Sequence, residues 1–420
     1  MYDPHHVYMD LDVMNNDYNS TSKPQLRFEG TRNTPFLPGD SADYFCSIVR
    51  FNIQTGNTLP VFIPRIETGQ SDINKTIYQV AIMLDRFEEE STSVDVVGFA
   101  NVMYTPEDES VITPAAPTTS QDLSSTYYYV YNYQHFIHLV NKAIQSAWDN
   151  LKANYASTGP GGIDNFNLFV GNTVAPWIDF DPGTNRMFIT ADDRTYNSEL
   201  TGTTFGLFRL KLIFNDRLYE LFSSLPFRLI RNPVNVASIQ SYSGRASSWY
   251  SIRFINRYNN KYTQKVIDPT STATPKATMS IDVLQAHQEM TSIALWNPVA
   301  SIVFASSLLP IIPTQTSAPK DIGSQSNNLI NGGNNSNLLP VLSDFSIAVD
   351  GNNQYRPMVE YNPGAEYRLI DMNSTTNLNR LDIVVYWKDR FGSLHPFQLQ
   401  PGCAASVKIM FRRKDFSVVS

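Results

Sequence analysis

Three groups of residues in this chain have types and spacings that chemistry could use. His135 and His138 stand one helical turn apart in an amphipathic stretch, which can put two imidazoles on one face for a metal ion. No Glu completes a His-Glu-x-x-His pattern and no cysteine pair is near, so polar positions on a helix face are the better explanation. Asp179, Asp181, Asp192 and Asp193 gather around a short hairpin, the first of them close to Trp177. Clustered carboxylates suit a hard cation, and paired carboxylates suit sugar hydrolysis. The spacing matches no EF-hand loop, and turn-forming Asp accounts for the cluster more simply. Cys46 and Cys403 fall in the first and next to the last expected strands, which could be neighbours. Two cysteines are too few for a disulfide framework, and buried thiols are favoured over a bridge.

Other signatures of catalysis are missing from the sequence. There is no Gly-x-Ser-x-Gly, and Gly159-Pro-Gly-Gly162 lacks the Lys-Ser/Thr of a phosphate-binding loop. His5-His6 reads as solvated, and Glu88-Glu-Glu90 as a solvated strand end. The expectation is therefore no catalytic, cofactor-binding or metal residues, no cofactor and no enzyme.

Composition agrees. Of 420 residues, 42% are hydrophobic and 12% aromatic, but only 17% charged, so polarity comes from Asn, Ser, Thr and Gln. The aromatic content excludes wholesale disorder. Net charge is -7, and the densest basic cluster is Lys408, Arg412, Arg413 and Lys414. That is no concentrated positive field, so there is no strong nucleic-acid signal. The most apolar run, Val299 to Ile312, is too short and broken to span a membrane. Met1 is followed by Tyr-Asp-Pro-His-His, which is not a signal peptide. The sequons at Asn19, Asn74, Asn334 and Asn373 therefore read as Asn-rich loops.

The elements that would position any site are mainly strands. Residues 1–40 show no sustained period and read as an extended arm, reaching roughly 130 Å if fully drawn out. Strands follow at Tyr44 to Phe51, Thr76 to Leu84 and Val94 to Met103, with an edge piece at Leu59 to Ile63. The strongest helix has Asn132 as its cap and one apolar stripe of Phe136, Val140, Ala143, Ile144, Ala147, Trp148 and Leu151. A hairpin joins Ala175–Phe180 to Arg186–Thr190, with Pro and Gly supplying the turn angles. Gly206–Phe214 leads into a short helix capped by Asn215. Later strands include Trp249–Ile255, Ala277–Leu284, Ser301–Ser306, Leu342–Val349, Tyr355–Glu360, Tyr367–Asp371, Leu381–Trp387 and Ala405–Phe411, and Pro313 to Pro340 is a long polar loop. The fold class is mainly β: a jelly-roll β-sandwich with an inserted domain carrying one or two helices and long loops. The expected domains are the arm at 1–40, the sandwich at 41–110 with 236–420, and an inserted α+β domain at 111–235.

Three passages carry a family resemblance: Tyr44-Phe-Cys-Ser-Ile-Val-Arg-Phe51 with Leu59-Pro-Val-Phe-Ile-Pro64; Leu295-Trp-Asn-Pro298 with Ser306-Ser-Leu-Leu-Pro310; and Glu366-Tyr-Arg-Leu-Ile370 onward to Phe411. Over residues 41 to 415 the chain resembles the penton-type (vertex) minor capsid proteins of adenovirus- and polinton-like double-stranded DNA viruses. The resemblance implies a virion structural protein, assembled inside the host cell, with five copies in a ring at each icosahedral vertex. It also implies contacts with other capsid proteins of the same virion, and with a host receptor or fibre through outer loops. There is no Arg-Gly-Asp receptor loop. Two alternatives stand beside it: a major jelly-roll coat protein of a small icosahedral virus, and a carbohydrate-binding β-sandwich with Trp177 and the neighbouring Asp residues at its site.

Overall fold

The computed structural model describes residues 5–17, 23–86, 96–123, 125–158, 173–193, 208–230, 248–254, 262–268, 271–312, 316–317, 339–346, 358–362 and 368–414. Glu88–Glu90, Gly159–Gly162, Asn19, Asn334 and most of the Pro313 to Pro340 loop lie outside these residues. The chain divides into two compact units, Met1–Val61 with Asn297–Ser420, and Phe62–Trp296.

The first unit is a sandwich that begins inside the expected arm. Residues 1–40 contribute β1 (His6–Met14) and β2 (Arg27–Thr31) ahead of β3 (Tyr44–Gln54). The reason is a strict alternation in β1. Val7, Met9, Leu11 and Val13 lie half-buried on one face, while His6, Tyr8, Asp10, Asp12 and Met14 are exposed on the other. The chain re-enters this unit through β13 (Val299–Ala305) and continues through β14 (Thr316–Ser317), β15 (Leu339–Ser346), β16 (Met358–Tyr361), β17 (Ile370–Asp371), β18 (Arg380–Asp389), β19 (Leu394–Pro396) and β20 (Ala404–Arg413).

One sheet has the order β1-β20-β3-β16, with β17 also on β3. The other runs β14-β15-β13-β18-β19, with β2 also on β18. Numbering only the eight principal strands by their place in this unit, the sheets read 1-8-3-6 and 2-7-4-5. That is the double Greek key of a jelly roll. All these pairings are antiparallel. Phe51 of β3 meets Phe304 of β13 and Phe345 of β15 at ring distances of 4.9 Å, so the two sheets interdigitate through aromatic rings.

The second unit interrupts the jelly roll between its third and fourth principal strands. It holds β4 (Lys75–Arg86), β5 (Val96–Met103), α1 (Tyr133–Thr158), β6 (Trp177–Asp181), β7 (Arg186–Asp192), β8 (Phe208–Asn215), α2 (Asp216–Leu221), β9 (Phe227–Ile230), β10 (Trp249–Ile252), β11 (Tyr262–Ile267), β12 (Thr278–His287) and α3 (Ile293–Trp296). Its sheets are β5-β4-β8-β10-β9 and β11-β12-β7-β6. The inserted unit therefore runs well beyond the expected 111–235. β4 and β5, assigned to the sandwich from sequence, belong with the insertion: β4 carries apolar residues on both faces and takes β5 on one side and β8 on the other. Strands after residue 236 do the same, β10 pairing with β8 and β12 with β7. The expected edge piece at Leu59 to Ile63 is reduced to one isolated bridge, Phe62 to Val130; Pro60 and Pro64 flank it and cannot donate to a ladder.

Helix α1 closes two sheet edges. Asn132 Oδ1 caps it by accepting from Gln134 N–H at 2.8 Å. The apolar stripe from Phe136 to Leu151 is buried. On its flank, Asn150 Nδ2 donates to the Phe99 carbonyl at 2.8 Å and Asn154 Nδ2 to the Val97 carbonyl at 2.7 Å. Asn141 donates to the Ile178 carbonyl at 2.9 Å and accepts from its N–H at 2.8 Å. Side-chain amides thus take the place of a further strand on β5 and β6. Trp296 anchors the same unit, with Phe62, Phe136, Phe222 and Tyr133 around its ring and its Nε1 donating to the Leu221 carbonyl at 2.7 Å. Among the described residues no helix is long and apolar enough to cross a membrane.

Candidate functional site

The residues that suggested chemistry are used to hold the fold. His135 is half-buried, and its Nε2 donates to the Thr105 carbonyl at 2.7 Å, while His138 is exposed. Asp179 accepts from Trp177 Nε1 at 2.8 Å, and burial pushes its carboxyl up from the ordinary range. Asp181 accepts from the Thr184 hydroxyl at 2.6 Å and Gly183 N–H at 2.9 Å, and these bonds hold its carboxyl below the usual range. It is a turn-forming Asp. The left-handed position in this turn belongs to Asn185, with φ of 54°, and not to Gly183. Asp192 and Asp193 are buried at the end of β7. Among the described residues, no group of three His, Cys, Asp or Glu side chains could hold a metal ion.

The two thiols are far apart. Cys46 lies opposite Phe411 on β20, whereas Cys403 precedes the other end of that strand, on the order of 25 Å away. Cys46 is buried, which pushes its thiol up to about 12. Cys403 is half-buried, contrary to the expectation of two buried thiols. Within the basic cluster Lys408 pairs with Asp10 at 3.2 Å and Lys414 with Asp371 at 3.2 Å. Arg50 reaches the same Asp10 at 3.5 Å. His6 is exposed on β1 beside the Tyr8 ring.

Two buried polar networks escaped the sequence reading. Asp382 of β18 accepts from Ser306 Oγ at 2.7 Å, Ser307 N–H at 3.1 Å, Ser307 Oγ at 2.8 Å and Leu308 N–H at 2.8 Å. Arg27 of β2 adds a contact at 3.3 Å. Burial pushes the carboxyl up, but the hydrogen bonds outweigh it and hold Asp382 below the usual range. The second network joins Asp389 to His395, with His395 stacked on Trp387 at 4.1 Å. An Asp inside an apolar strand such as Leu381-Asp-Ile-Val-Val385 was the available signal for the first network. The second had its signal in the turn Asp389-Arg-Phe-Gly-Ser393.

Buried carboxylates here organise loops and turns. The architecture defines a jelly-roll scaffold protein, a class that serves viral coats, lectins and cupins. Comparison with known proteins selects the first of these. A family model for the Sputnik minor capsid protein V18/19 matches residues 7–413. The chain belongs to this family of minor capsid proteins, which are structural components of the virion.

Individual relatives are distant. The structural protein V19 of the Sputnik virophage is 28% identical over 136 residues, covering 32% of this chain and 58% of V19, so the chain spans little more than half of that relative. The V18 protein of the same virophage is 30% identical over 166 residues, covering 38% of this chain and 91% of V18. A chain of the Sputnik virophage structure determined by cryo-EM matches with a TM-score of 0.66 and 23% identity, covering 98% of each chain. The mavirus penton protein matches with a TM-score of 0.56 and 15% identity, covering 97% of this chain and 99% of that one. These two likenesses establish the shared fold, insertion included.

Proposed function

We propose that the protein is the subunit of a pentameric vertex capsomer, five copies closing a ring at the icosahedral fivefold and contacting the other coat proteins of the virion. The observation that carries this reading is the whole-length fold likeness to the mavirus penton protein. The topology supports it as well. A cyclic ring needs two different surfaces on each subunit that meet head to tail. The sandwich has unlike edges: in one sheet the long acidic β1 stands at one edge and the short β16 at the other. In this reading the role is structural and without catalysis, and the subunit is assembled inside the host cell. The inserted unit is the part available to a receptor or fibre.

Mass photometry of the purified chain, followed by electron microscopy of the particles, tests the proposal. Closed five-membered rings are the expected result. Monomer alone over a wide concentration range, or rings of three, would overturn it.

A further inference from the structure

In the inserted unit, one face of the sheet β11-β12-β7-β6 carries aromatic and polar side chains in a regular grid. The pairing register sets two rows across three strands: Trp177, Thr190 and Gln285 in one, and Asp179, Phe188 and His287 in the next. Successive residues of a strand point to opposite faces, so these six share one face, while Ile178, Met187, Ile189 and Ala286 lie buried on the other. The grid spans about 10 Å across the strands and about 7 Å along them. Thr190 is buried; Trp177, Asp179, Phe188 and Gln285 are half-buried, and His287 is exposed.

Side-chain contacts fix the grid in advance, which lowers the entropy lost when a ligand binds. Trp177 Nε1 donates to Asp179 Oδ2 at 2.8 Å, Gln285 Nε2 donates to Thr190 Oγ1 at 3.3 Å, and His287 Nε2 lies 3.2 Å from Gln285 Oε1. The His287 ring stacks on Phe188 at 5.3 Å, with 23° between the planes. These contacts leave capacity for a ligand. Among the described residues Asp179 Oδ1 and His287 Nδ1 make no hydrogen bond, and the Gln285 amide has a second N–H. Aromatic rings offer negative faces to polarised C–H groups. A few fixed polar groups beside them orient hydroxyls. A sugar ring presents both kinds of group, C–H on its faces and O–H around its rim. The grid holds one carboxylate and no lysine or arginine, so it repels an acidic sugar and accepts an uncharged one. A peptide joining as a further strand would need a free edge instead, and on β6 the Asn141 side chain occupies the Ile178 amide and carbonyl.

We propose that this grid is a binding site for a neutral saccharide. The inference rests on the reading that the inserted unit meets a receptor or fibre, and it names the chemistry of that partner. The test applies the full chain to an array of neutral and sialylated oligosaccharides. Hits are then titrated by calorimetry against wild type, Trp177→Ala and His287→Ala, with thermal melting in parallel. Neutral glycans are the expected hits, with dissociation constants raised about tenfold or more in both variants. His287 is exposed, so His287→Ala is expected to melt like wild type and to separate lost binding from lost folding. An array without hits, binding confined to sialylated glycans, or binding unchanged in His287→Ala would each overturn the proposal. Mass photometry of the same samples reports ring formation separately. A chain that forms rings and binds no glycan loses this inference alone, and one that binds neutral glycans without forming rings loses only the ring.

Discussion

Gly98 of β5 and Ala147 of α1 approach so closely that a Cβ on Gly98 would overlap the Ala147 carbonyl oxygen and the Leu151 amide nitrogen, and stand 2.8 Å from Leu151 Cα. The atoms in the way are helix backbone, which cannot step aside without moving α1. That contact lets Asn150 and Asn154 reach the β5 carbonyls on either side of it. Gly98→Ala is therefore expected to destabilise the inserted unit by about 1–3 kcal/mol or more, read as a lower midpoint in urea. An unchanged midpoint would mean that α1 moves away from β5 at little cost.

Truncation distinguishes a strand from a loose arm. β1 pairs with β20 along its whole length, and Asn15 closes its end, accepting from Gly402 N–H at 2.7 Å and donating from its own N–H to the Cys403 carbonyl at 3.0 Å. Removal of residues 1–14 is expected to cost on the order of 3 kcal/mol or more, from several lost backbone bonds, and to expose β20 as a new edge prone to association. Calorimetry and light scattering check both effects. A truncated protein that melts like the full chain would return this segment to the role of an arm.

Asp382 provides a pH prediction with a definite sign. Its carboxyl titrates below the ordinary value near 3.8 in the folded protein, because its hydrogen bonds outweigh the effect of burial. A group depressed on folding stabilises the native state above its unfolded pKa, and that contribution disappears as pH falls through the folded one. Stability should therefore decline below about pH 4 in wild type, and the decline should be shallower in Asp382→Asn. Asp382→Ala leaves two hydroxyls and two N–H groups without their acceptor, at an expected cost of about 3–5 kcal/mol. Urea titrations at several pH values would decide; parallel pH profiles for wild type and Asp382→Asn would refute the assignment.

Asn185 tests the hairpin turn. Its φ of 54° lies in the left-handed region, which Asn tolerates and β-branched residues do not. Asn185→Gly should be neutral within about 0.5 kcal/mol, whereas Asn185→Val should cost about 1–2 kcal/mol. Equal melting of the two variants would show that the turn relaxes to another conformation.

The local elements were legible in the order of the residues. Period-two alternation marked β3 and β8, apolar β-rich runs between turn formers marked β18 and β20, the three–four stripe marked α1, and Asn132 and Asn215 are caps, the latter accepting from Leu218 N–H at 3.0 Å. These are near-neighbour effects, readable from spacing alone. The jelly-roll class and the capsid family were legible too, the latter through resemblance. Tertiary structure alone decided partnership. The alternation in β1 is visible in Val7, Met9, Leu11 and Val13, but its exposed Asp10 looks like an arm residue until Lys408 and Arg50 stand opposite it. β4 looks like a sandwich strand until β5 and β8 flank it. The clustered Asp residues and the two histidines suggested chemistry because side-chain type says nothing about the hydrogen bonds a folded neighbour will supply. Asp382 shows the same limit: the Ser306, Ser307 and Leu308 groups that bind it are far off in the sequence and come near only through the pairing of distant segments, whereas the partners of Asp389 lie in its own turn and just beyond it.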